Sequence, residues 1–244
     1  MNIRKRILEI HKESISADVA PFNRIYKKYP LINEAIIPCH FSGDIEAAGK
    51  IVTISLNPKY TSECTENEQS GFSLDEWYDF CRYRFSNYPC DTAVHRTFKN
   101  IRKLFVPPHQ WRESSCRSDL QQSLVNLDWC PYYSGRFPTI SPDRPAIVGE
   151  MMKRWDKVLD EMVHIVKPPL IFVHGKTMES WVSERVVLKK LCVLKTDRGN
   201  RSHVWHGQFN QVPLVYLEYG ITQVGNNDAL AQLGDRLRNL PRIT

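Results

Sequence analysis

Four short apolar runs constrain this chain most: IVTISL at 51–56, LVNLDW at 124–129, LIFVHG at 170–175 and VPLVYLEYG at 212–220. Each is bounded by turn residues, and near-continuous hydrophobicity over so few positions is the pattern of a strand buried on both faces. Between the second and third runs, residues 146–166 put Val148, Met151, Met152, Trp155, Leu159, Met162, Val163 and Val166 on one helical stripe. A shorter helix is expected from about Thr177, and DALAQLGDRLRNL at 228–240 brings Leu230, Leu233, Leu237 and Leu240 into register. Strands alternating with helices imply an α/β fold, here a three-layer α/β/α arrangement around a central four-stranded parallel sheet. Nothing reads as a linker, repeat or low-complexity tract, so residues 1–244 are expected to form one domain with a helical insertion at about 61–118. In such sheets ligands bind beyond the carboxyl ends of the strands. The chemistry is therefore sought in the residues that follow each strand.

Composition narrows the classes. With 42% hydrophobic and 25% charged residues, disorder and small disulfide scaffolds are excluded. The apolar runs fall far short of the ~20 residues that span a bilayer, and the basic N-terminus continues as a charged helix without a signal-peptide pattern. The expectation is a cytoplasmic monomer with no membrane contact. Seven scattered cysteines without a C-x-x-C pair read as reduced thiols, with no metal. The net charge of +6 is clustered: residues 82–117 hold eight Arg/Lys against Asp91 and Glu113, and 185–201 hold six against Asp197. Residues 61–80 carry six acids and no base. Such basic segments are either solvated helix surface or a phosphate-binding track.

Several chemistries fail on inspection. Gly175-Lys176-Thr177 resembles the end of a P-loop, but the glycine required five positions earlier is Leu170. There is no G-x-S-x-G elbow. Pro38-Cys39-His40 supplies only a fragment of a zinc-deaminase site, and His203 and His206 have no third ligand nearby in sequence.

The strand ends resemble those of the uracil-DNA glycosylase superfamily. Ile54-Ser55-Leu56-Asn57-Pro58 is similar to its first motif, with Ser55 in place of a glycine, and the motif's Asn or Asp handles the hydrolytic water. Asn126-Leu127-Asp128-Trp129-Cys130-Pro131, followed by Arg136-Phe137-Pro138, resembles the second motif, whose asparagine reads the flipped base. Gly175 before a helix looks like the third. The fourth departs, because Glu218-Tyr219-Gly220 stands where a histidine, a proline and a small residue are usual. Cys130 matches one iron–sulfur ligand position, but the N-terminal cysteine pair is missing, so neither a cluster nor another cofactor is expected.

The resemblance implies a monofunctional DNA N-glycosylase with DNA as its partner. Asn57 and Glu218 are the candidate catalytic residues; for Asn57 the alternative is an Asx-turn before Pro58. Asn126, Phe72, Tyr60 and Tyr219 are candidates for binding the base, with strand satisfaction as the competing role of Asn126 and core packing that of Phe72. Lys59, Arg96, Arg102, Lys103, Arg136, Arg198 and Arg201 are candidate DNA contacts. A carboxylate at Glu218 would repel an anionic uracil and suit an amino group or sugar hydroxyls, which points to a modified, bulky or glycosylated cytosine of the kind found in phage DNA. Asn57, Asn126 and Glu218 are expected around one pocket. The alternative readings are a catalytically silent nucleic-acid-binding protein of the same fold and an α/β hydrolase of small nucleosides.

Overall fold

A computed structural model describes residues 2–32, 36–47, 49–58, 72–87, 93–111, 117–141, 143–195, 199, 201–224 and 227–239, with the backbone alone at 87, 93–96 and 117–118. In chain order the elements are α1 (Ile3–Ile15), α2 (Ala20–Ile25), β1 (Phe41–Ser42), β2 (Ile51–Ser55), α3 (Leu74–Arg82), α4 (Arg84–Asn87), α5 (Ala93–Lys103), α6 (Arg117–Ser123) and β3 (Leu124–Asp128). They continue with α7 (Ala146–Val166), β4 (Ile171–His174), α8 (Glu179–Arg185), β5 (Lys189–Lys195), β6 (Arg201–Phe209), β7 (Val212–Leu217), α9 (Ile221–Val224) and α10 (Asn227–Arg238).

The four apolar runs become β2, β3, β4 and β7, which pair parallel in the order β3-β2-β4-β7. The sheet is wider than the four-stranded parallel sheet expected. β1 pairs antiparallel with β3, and the β5–β6 hairpin extends the sheet beyond β7. The described strands therefore form one seven-stranded mixed sheet, β1-β3-β2-β4-β7-β6-β5. The hairpin hid in the sequence because its outer face mixes Lys190, Lys195 and Arg201 with Val193, His203 and Trp205, whereas its inner positions, Leu194, Ser202 and Val204, are buried. Lysines on the outermost strand also discourage pairing with another chain.

Side chains alternate across the sheet, so each strand serves two cores. Val52, Ile54, Val125, Leu127, Ile171, Val173, Leu214 and Tyr216 face α1, α3, α7 and α8. Leu124, Phe172, Val215 and Leu217 face α5, α9 and α10. We refer to these as the α7 face and the α10 face. All eight residues of the helical stripe expected on α7 are buried, and burying an aliphatic or aromatic side chain of this size contributes about 1.5–3 kcal/mol. α3 packs on the α7 face and α5 on the α10 face. α3 starts with a capping box in which Ser73 and Glu76 satisfy each other's backbone N–H. Just after β1, Gly43 has φ +105°, and a Cβ there would lie 2.6 Å from the Leu124 carbonyl oxygen, so only glycine fits.

Candidate functional site

β2 connects to β3 on one side, and the chain then crosses back over β2 to enter β4 on the other. That reversal makes the carboxyl edge between β2 and β4 the switch point at which doubly wound sheets hold ligands. A cavity of about 130 Å³ opens there on the α7 face. Its walls include Leu56 after β2, Trp129 and Phe137 after β3, Lys176 after β4, and Trp181 of α8, with Arg144 at its margin. The Arg185 guanidinium lies 5.3 Å from the Trp129 ring centroid and 5.2 Å from that of Trp181, and pairs with Asp156 at 2.8 Å. Asp156 also accepts from Trp129 Nε1 at 2.8 Å. One carboxylate thus fixes both the arginine and the indole of the wall. The Trp181 Nε1–H is buried without an acceptor among the described residues. A buried donor left this way is costly to the fold.

Asn57 lies beside this wall. Its Nδ2 donates to the Tyr132 carbonyl at 3.1 Å, to Ser134 Oγ at 2.8 Å and to the Pro58 carbonyl at 3.0 Å. Three acceptors around the amide nitrogen fix which end of the side chain is which, and Oδ1 has no partner among the described residues. The loops after β2 and β3 are therefore tied together through Asn57, which presents a free acceptor oxygen at the carboxyl edge.

A second polar group occupies the α10 face at the same edge. Asn126 Oδ1 accepts from Thr53 Oγ1 and Ser55 Oγ, both at 2.8 Å, and the Asn126 side chain also bonds to that of Asp128. Burial holds the Asp128 carboxyl well above the usual carboxylate range; the charge of Cys39 adds to this and the Arg84 guanidinium opposes it. Ser55 pairs with Asp128, and the β2–β4 register carried one step further sets His174 on its other side. Burial pushes the His174 imidazole down to about 4. It is therefore neutral near pH 7, with Nδ1 buried and unpartnered among the described residues.

These placements correct several sequence expectations. Asn57, Asn126 and Glu218 do not surround one pocket. Asn126 sits on the α10 face with its oxygen bonded to Thr53 and Ser55 and its side chain to Asp128, the arrangement of a strand-satisfying residue. Glu218, after β7, lies opposite His203 and accepts from its backbone N–H at 3.1 Å and contacts its Nδ1 at 3.0 Å. β3 and β7 are three strand spacings apart, about 14 Å, so Glu218 has no access to Asn57's partners. Phe72 makes core contacts, with ring centroids 6.3 Å from Trp77 and 5.7 Å from Phe80. Tyr219 receives the Lys176 ammonium over its ring at 4.6 Å.

Among the expected DNA contacts, Arg102 is bound to Asp119 by two hydrogen bonds, at 2.8 and 3.1 Å, and so is not a free cation. Lys103 packs its ammonium over Trp111 at 5.3 Å. Arg136 is exposed, 5.7 Å from the Tyr29 ring, and Arg201 is exposed on β6. Lys59, Tyr60 and Arg198, and the side chain of Arg96, lie outside the described residues.

No protein-family model matches the chain, and no curated protein matches its sequence. Among the described residues no three His, Cys, Asp or Glu side chains group as metal ligands, and no helix is long and apolar enough to cross a membrane. Sequence reasoning missed the wall formed by Trp129, Trp181 and Arg185. Trp129 belongs to the second motif and could have been found there. Arg185 and Trp181 are a single turn apart on the helix expected from about Thr177, but that this side of the helix meets Trp129 is set only by the tertiary packing.

Proposed function

We propose that this chain is a DNA glycosylase that extrudes a modified base and hydrolyses its N-glycosidic bond, leaving an abasic site. The bond from C1′ of the sugar to the base nitrogen breaks, water supplies the hydroxyl at C1′, and its proton ends on the departing base. Little covalent chemistry is asked of the protein, because charge develops as the bond breaks and placement dominates. The observation that carries the reading is the fixed amide of Asn57, whose oxygen, without a partner among the described residues, would accept a hydrogen bond from the attacking water. Further support comes from the cavity, which is walled by residues of the first two motifs, Leu56, Trp129 and Phe137, and by Lys176 next to the third. At about 130 Å³ the cavity is smaller than the roughly 300–1,000 Å³ of drug-sized sites. It suits a single ring, and the substituent of a bulky or glycosylated cytosine would project through its open side. In this proposal Asn126 is a positioning residue.

The test is incubation with a panel of plasmid and modified phage DNAs, scored for free base and abasic sites. Asn57→Ala is expected to lower excision at least about 100-fold, in line with the loss of one positioned transition-state contact, while DNA affinity changes less than about threefold. Ser134→Ala removes a neighbour of the amide but keeps the oxygen, and should retain most activity. Wild-type release by Asn57→Ala would remove this residue from the reaction. The second reading, a catalytically silent nucleic-acid binder, is favoured by the engagement of Glu218 with His203 at the strand end where the motif histidine is missing. DNA binding with no base released from any substrate would establish it.

A further inference from the structure

The β5–β6 hairpin carries on its outer face cations that neither the core nor the site described above uses. Its inner face, Leu194, Ser202 and Val204, is buried against the α10 layer. On its outer face the register pairs Lys190 with Trp205, Val193 with His203, and Lys195 with Arg201. α8 covers only the far end of β6, where Trp181 meets Phe209 at 5.4 Å between ring centroids and Val186 fills the space above Gly207. Beyond that point Lys190, Val193, Lys195 and Arg201 are exposed and the rings of His203 and Trp205 half-buried.

We infer that this outer face binds an unpaired stretch of DNA next to the extruded nucleotide. Three cations that have no ion-pair partner among the described residues flank two aromatic rings packed edge to face at 5.9 Å. Flat sheet faces that hold single strands combine backbone-tracking cations with rings on which bases stack. Trp205 packs by one side against the α7-face core and His203 meets the Glu218 carboxylate at 3.0 Å through Nδ1, and each ring keeps part of its surface open between the cations. β6 runs antiparallel to β7, so Arg201 and His203 lie at the carboxyl edge, on the same face as Lys176 and the cavity. A strand on the hairpin would therefore lead into the proposed site. The inference rests on DNA being the substrate, and it adds a surface independent of the Asn57 chemistry.

The experiment measures binding of a fluorescein-labelled 20-nucleotide oligo-dT by anisotropy, as a function of salt, with the full chain. Lys195→Glu/Arg201→Glu is compared with Lys5→Glu/Lys12→Glu, an equal change in net charge on α1, which packs beside β1 at the opposite end of the sheet. The hairpin variant should bind at least 10-fold more weakly, and its log–log salt slope should shrink by about 1.4, the value for two single-strand phosphate contacts. The α1 variant should change less than about twofold. Trp205→Ala should weaken binding about 5-fold or more, with Trp205→Phe restoring most of it. Equal loss in both charge variants, or no loss in the hairpin variant, overturns the inference. Tighter binding of the same-sequence RNA, or equal competition by polyglutamate, also overturns it. Base release that persists without hairpin-dependent binding refutes this surface alone, whereas hairpin-dependent binding without base release refutes the glycosylase reading alone.

Discussion

Asn126→Ala tests whether the second-motif asparagine holds strands or reads a base. Thr53, Asn126 and Asp128 are 2%, 5% and 5% exposed, so no water stands ready to replace a lost partner. Ser55 is half-buried and can turn its hydroxyl outward. The substitution therefore orphans the Thr53 hydroxyl and one bond to Asp128, each costing about 1–3 kcal/mol when buried. The total is about 2–6 kcal/mol. For a chain of 244 residues that corresponds to a fall in Tm of about 4–24 °C, at roughly 2–4 °C per kcal/mol. Thr53→Val alone should cost about 1 kcal/mol, because Asn126 Oδ1 keeps Ser55. The double variant should then be more stable than the sum of the single costs predicts by about 1 kcal/mol or more, since no hydroxyl is left to orphan. Urea unfolding followed by tryptophan fluorescence and circular dichroism, with unchanged m-values, measures all three. If Asn126→Ala costs under about 1 kcal/mol, or if the single costs simply add, the network argument is wrong. Loss of base excision at unchanged stability would return Asn126 to base reading.

Two further predictions concern the frame around the site. His11 is fully buried, and burial pushes its imidazole down to about 4, against about 6.5 in the unfolded chain. The unfolded chain therefore binds a proton that the folded chain refuses between these values, so stability should fall as the pH drops from about 6.5 towards 4, by up to about 3 kcal/mol from this residue. His11→Gln should flatten that part of the urea-unfolding profile, and an unchanged slope would contradict the assignment. Gly43→Ala should cost at least about 2 kcal/mol, because the left-handed φ and the contact with the Leu124 carbonyl both oppose a Cβ. A variant melting within about 3 °C of wild type would show that the loop relaxes freely.

Periodicity was sufficient for the parts of the fold in which a local pattern states its own burial. The four apolar runs had to be strands because each is too short for a core helix yet apolar on both faces, and the eight-residue stripe of 146–166 fixed the buried side of α7. The β5–β6 hairpin was hidden, since an edge hairpin needs only one buried face and its other face, Lys190, Lys195 and Arg201, looks like any solvated surface until β7 is beside it. The same limit applies to the site. The sequence placed Asn57, Asn126 and Glu218 at strand ends, but a strand end has two faces and a lateral position, and neither is written locally. Only strand order and register put Asn126 on the α10 face with Thr53 and Ser55, and set Glu218 three strands from β3. Asn57 was legible by position alone. That its amide is bound and its oxygen free depends on Tyr132 and Ser134, which are more than seventy residues away in the chain and are brought close by parallel pairing of β2 with β3.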